Sequence, residues 1–77
     1  MANKNGTNFF IDNGDTGVKT ALTDDNGDAV LVRSTTANIP SAKTGYAIGC
    51  LLMNVTSGSL FINQGSNTSC TFRDVTY

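Results

Sequence analysis

The four residues Asp-Asn-Gly-Asp occur twice, at 12–15 and 25–28, and each copy interrupts a run of strand-forming residues. An Asn-Gly pair between alternating apolar runs is the strongest short-range signal for a β-hairpin. After the first copy, Val18, Thr20 and Leu22 alternate with Lys19, Ala21 and Thr23, the period of a half-buried strand. After the second copy comes the continuously apolar Ala29-Val30-Leu31-Val32, which suits a strand buried on both faces or lying at a subunit contact. A two-residue type I′ turn at Asn26-Gly27 predicts a register in which Asp25 faces Asp28, Thr23 faces Val30 and Leu22 faces Leu31.

The rest of the chain continues the pattern. Phe9-Phe10-Ile11 is a short apolar run ending at Asp12, and residues 1–8 are polar and read as a flexible N-terminal arm. Residues 34–45 hold the single proline and no periodicity, so they read as a linker. Strands follow at "YAIGCLLMNV", "LFIN" and "CTFRDVTY", separated by loops around Ser57-Gly58 and at "QGSNTS". No window repeats apolar residues at helical spacing over three turns. The expectation is an all-β fold, a small antiparallel sandwich or barrel of about six short strands. It would be one domain over residues 9–77, with hairpins at 9–33, the linker at 34–45 and strands at 46–77. Leu51, Met53, Leu60 and Ile62 are the expected core.

At 77 residues such a domain buries only roughly 60% of its unfolded surface, so its core is marginal and invites a staple. Two cysteines, Cys50 and Cys70, allow one bridge closing a loop of roughly 20 residues, worth ~3 kcal/mol. The simpler reading is two buried thiols packing as small hydrophobes. There is no His, no Glu and no Cys-x-x-Cys. Placing Gly27 sixth in a calcium loop puts Leu22 first and Arg33 twelfth, and placing Gly14 sixth puts Phe9 first and Thr20 twelfth, so both copies lack the required ligands. Asp25 and Asp28, with Asp24, are at most weak cation candidates, and a solvated turn tip explains them without an ion. No cofactor is expected.

Five Lys/Arg against six acidic residues give a net charge of −1, scattered along the chain, which disfavours nucleic-acid binding. The uncharged residues 44–63 are broken by Asn, Thr, Ser and Gly, so no membrane span is expected. The N-terminus lacks a run of signal-peptide length, which leads us to expect synthesis in the cytoplasm with reduced thiols. Sequons at Asn5, Asn54 and Asn67 are then incidental. With no His to serve as a base and Cys50 inside an apolar strand, no enzyme activity is expected.

Residues 38–75 contain Gly45-Tyr46-Ala47 before Gly49-Cys50, then Leu60-Phe61-Ile62-Asn63, Gly65 two residues later, and Ser69 three residues before Phe72. This half of the chain resembles a small module of tailed-bacteriophage virion proteins. The resemblance implies a structural role at the capsid surface of a virion made in a bacterial cytoplasm. A cement, or decoration, protein of this kind would bind the major capsid protein and itself, as a homotrimer, and bridge capsid subunits. Phe9, Phe10 and Ile11 would anchor the arm, and Val30 and Val32 would form part of an intersubunit face. The alternative is a head- or tail-fibre module for host attachment, carried by exposed aromatics such as Tyr46 and Tyr77. A small cation-binding or catalytic domain is the third expectation.

Overall fold

The computed structural model of the chain describes residues 10–75; the arm at 1–8, Phe9 and Tyr77 lie outside the described residues. The fold is all-β, as the sequence leads one to expect. Its strands are β1 (Ile11–Asp12), β2 (Lys19–Thr23), β3 (Ala29–Ser34), β4 (Tyr46–Asn54), β5 (Ser59–Asn63) and β6 (Phe72–Asp74). They form one six-stranded sheet whose spatial order is the chain order. The shortest principal extent is 19 Å, which fits a sheet covered on one side by a single layer of loops.

The sheet departs from the antiparallel expectation at one place: β3 and β4 are parallel, and all the other pairs are antiparallel. Parallel neighbours need a crossover of about a dozen residues, and residues 35–45 supply it. They form a one-turn 3-10 helix at Thr36–Asn38 and lay Ile39 against the core. Buried Ser34 donates from Oγ to the Asn38 carbonyl at 2.8 Å, and buried Asn54 donates to Thr36 Oγ1 at 3.0 Å. These bonds fix the crossover to the strand ends it joins.

The second Asp-Asn-Gly-Asp copy makes the expected hairpin with a different turn. Asn26 does not have positive φ, whereas Gly27 does, at +82°. The Gly27 amide donates to the Asp24 carbonyl and the Asp24 amide to the Asp28 carbonyl, so the loop has three residues. This is a type I turn completed by a glycine bulge, not a type I′ turn. Asp24 decides it: its Oδ1 accepts from the amides of both Asn26 and Asp28 at 2.9 Å. The extra loop residue moves the register by one, so Thr23 faces Ala29 rather than Val30, while an irregularity keeps Leu22 opposite Leu31. That irregularity also turns Leu22 away from the face of Val18 and Thr20, leaving it 58% exposed.

The core lies on the loop-covered face and comprises Val18, Ala29, Val32, Tyr46, Cys50, Leu52 and Cys70, with Ile39, Phe61 and Phe72 packed around it. Tyr46 meets Phe72 edge to face at 5.5 Å. The expected core of Leu51, Met53, Leu60 and Ile62 is therefore corrected: Leu51 and Leu60 are exposed and the other two only half-buried. Leu51-Leu52-Met53 is apolar at every position, so alternation alone does not fix which face turns inward. Buried Asn54 and Asn63, each held by hydrogen bonds, set the phase instead.

Candidate interaction surface

The register places two rows of side chains on the outer face of the sheet. Leu22, Leu31, Leu51, Ile62 and Arg73 are successive cross-strand partners in one row. Lys19, Arg33, Met53 and Leu60 form the next. Six of these nine are large and apolar. Leu22, Leu51 and Leu60 are exposed, and Leu31, Met53 and Ile62 are half-buried among their neighbours. A small domain does not ordinarily keep such a contiguous apolar patch in water, and patches of this kind mark interaction sites.

Charge is arranged along the strands of this face. At one end the 24–28 turn carries Asp24, Asp25 and Asp28, and the apolar row adjoins it. Arg33 and Lys19 lie towards the other end, with Lys19 bound to Asp12 at 2.7 Å, and Arg73 closes the apolar row at β6. Arg33 and Arg73 form no salt bridge with another described residue.

The two Asp-Asn-Gly-Asp copies serve different ends. In the first, Asp15 is not at a solvated tip: its Oδ2 accepts from the Tyr46 hydroxyl at 2.6 Å, and Asn13 Nδ2 donates to the same hydroxyl at 3.0 Å. The loop thereby lies across the inner face and closes over the core. Beside it is a cavity of about 290 Å³ lined in part by Asn13, Asp15, Thr20 and Tyr46. The Thr20 hydroxyl is buried without a hydrogen-bond partner among the described residues. In the second copy, Asp28 Oδ2 accepts from Asn67 Nδ2 at 3.1 Å and Asp24 is engaged by the turn amides. No group of three or more potential metal ligands is found among the described residues, Asp25 and Asp28 included.

Two buried groups bind their protons more tightly than usual. Burial, and then the hydrogen bond to Asp15, pushes the Tyr46 hydroxyl well above its ordinary value. Burial, and then the neighbouring Cys70, pushes the Cys50 thiol up to about 12. Both cysteines are free and buried. Because each group binds its proton more tightly in the folded chain, the stability it contributes is complete below its unfolded value, 9.0 for the thiol and 10.0 for the phenol. That stability is lost as the pH rises above those values. Melting temperatures followed by circular dichroism should hold level up to pH 9 and fall beyond it, and Tyr46→Phe should lessen the fall above pH 10. A flat profile from pH 8 to 11 would contradict the burial of both groups.

Other expected site residues fall out unevenly. Val32 is fully buried in the core of its own protomer, so it cannot form an intersubunit face; Leu31, its neighbour, turns outward instead. Val30 is half-buried. Phe10 is half-buried, and Ile11 is largely exposed on the edge strand β1. Tyr46 is 1% exposed, which removes it as a surface aromatic for host attachment. Asn63 is a structural centre that strand periodicity does not mark. Its Nδ2 donates to the carbonyls of Tyr46 and Ala47, and its Oδ1 accepts from the amides of Gly65 and Thr71. The signal in the sequence is the Asn-x-Gly spacing of Asn63 and Gly65 at the end of an apolar run.

Comparison with known protein families, curated proteins and solved structures finds no match for this chain.

Proposed function

We propose that this chain is a structural protein of a tailed-bacteriophage virion, a capsid cement protein. It binds the major capsid protein on the outer surface of the head and bridges neighbouring subunits. The observation that carries the reading is the balance of the chain's apolar residues. A small core sits under loops on one face of the sheet, and the opposite face leaves Leu22, Leu51 and Leu60 exposed. Such a chain gains stability when a larger assembly covers it, by the mass-action linkage that makes any partner of the folded state stabilising. The resemblance of residues 38–75 to virion modules supplies the kind of assembly. Ile11, on the edge strand, and the two phenylalanines before it would grip the shell.

The test is direct. Capsids lacking the chain are mixed with purified protein, and binding is read by co-sedimentation and particle stability by thermal release of DNA. Binding with a higher release temperature is the expected result. A chain that stays in the supernatant at saturating concentration would sink the cement reading.

A further inference from the structure

We infer that the outer face of the sheet is covered by a second copy of this chain, placed with its acidic 24–28 turn beside the Arg33 end of the first. The patch is apolar and continuous across four strands, from Leu22 through Leu31 and Leu51 to Ile62, with Met53 and Leu60 behind. Its charges are segregated: exposed Asp25 lies at the turn end, beside Asp24 and Asp28 that are already bonded to the turn amides and to Asn67, and Arg33 and the Asp12-paired Lys19 lie past the apolar rows. Stacking two copies with their strands parallel would set turn against turn, carboxylate against carboxylate. Reversing one copy brings the turn of each towards the arginine of the other while the leucines meet in the middle. Complementary potentials of this kind select orientation more than they add affinity, and the apolar rows supply the affinity.

Asp25 is the turn residue suited to a test, because it is exposed and forms no hydrogen bond or salt bridge within the described residues. Sedimentation velocity over two decades of micromolar concentration is the measurement, on the full chain. The wild type should associate. Leu51→Asp and, separately, Leu22→Asp should each weaken association about thirtyfold or more, as central interface residues do. Leu22 is so exposed that its replacement leaves the folded protomer intact, which circular dichroism checks. Arg33→Asp and Asp25→Arg should each weaken association about threefold, the scale of exposed ion pairs, and the double exchange should restore it.

A wild type that remains monomeric throughout overturns the inference. So does association indifferent to both leucine variants, or a double exchange no better than the worse single one. If the chain is monomeric but Leu51→Asp abolishes capsid binding, the face belongs to the shell and not to a second copy. The inference then fails while the cement reading stands. Conversely, association with the expected variant pattern and no capsid binding would leave this inference standing alone.

Discussion

Replacing Asn63 by Leu should unfold much of the population at physiological temperature and lower the melting temperature by about 15 °C or more, given ~4–8 °C per kcal/mol in a domain this small. The residue is 1% exposed at the end of β5. Its amide nitrogen donates to the Tyr46 and Ala47 carbonyls at 3.1 and 2.9 Å, and its oxygen accepts from the Gly65 and Thr71 amides, both at 2.9 Å. Leucine has similar bulk and none of these groups, so four backbone partners lose their bond together. Each buried group left unpaired costs about 1–3 kcal/mol. Even at the lower end, the sum approaches the ~5 kcal/mol at which small domains begin their range of stability. Urea unfolding of Asn63→Leu and Asn63→Asp separates the two halves of the site. Aspartate keeps the acceptor and loses the donor, and should fall between leucine and the wild type. Equal stability of all three would mean that Asn63 does not hold the loop.

Gly65→Ala should cost about 2–4 kcal/mol, the overpacking penalty together with a weakened hydrogen bond. A β-carbon at this position would stand 2.4 Å from the Ser69 carbonyl oxygen and 2.8 Å from the Thr71 nitrogen. Both obstacles are backbone, and both are already committed. Ser69 accepts from the Ser66 amide, and the Thr71 amide is bound to Asn63. The loop cannot give way without undoing the Asn63 contacts, so this substitution and Asn63→Leu should be less than additive. The adjacent exposed Gln64→Ala should change stability by under ~0.5 kcal/mol and serves as the control. Gly65 and Asn63 thus form one device that ties β5, the start of β4 and the approach to β6 together.

Much of the fold could be read from the chain because strands and turns announce themselves locally. Period two located β2 and the apolar runs located β3 to β5, and the Asn-Gly pairs marked both hairpins. What could not be read was the outcome of competitions. In "CLLMN" every candidate for the core has an equally apolar neighbour, and the choice between Leu51 and Leu52 is made by the hydrogen bonds of Asn54, at the end of the same run, and of Asn63 on β5. In the 24–28 turn, Asn-Gly alone favours a two-residue loop, but the Asp24 carboxylate one residue earlier captures two amides and lengthens it. The parallel pairing of β3 with β4 was foreshadowed only by the length of the linker. The outer face was no more legible than the core, because by hydropathy alone Leu51 and Leu60 suit either side of the sheet.

These corrections bear on function. The virion-protein resemblance implied Val32 as a contact, and the 24–28 turn reads as a solvated tip. The structure moves Val32 inside, gives Asp15 to Tyr46, and leaves one acidic turn at the end of an apolar face. On the proposed cement reading, the leucines and arginines of this face meet the chain's neighbours in the assembly.

The most direct measurement is a three-dimensional image of particles assembled with and without this chain. The account predicts extra density of protomer size on the outer surface of the head, contacting more than one capsid subunit, with the Leu22–Ile62 face covered and the 24–28 turn away from the shell. Particles that look the same with and without the chain would contradict it.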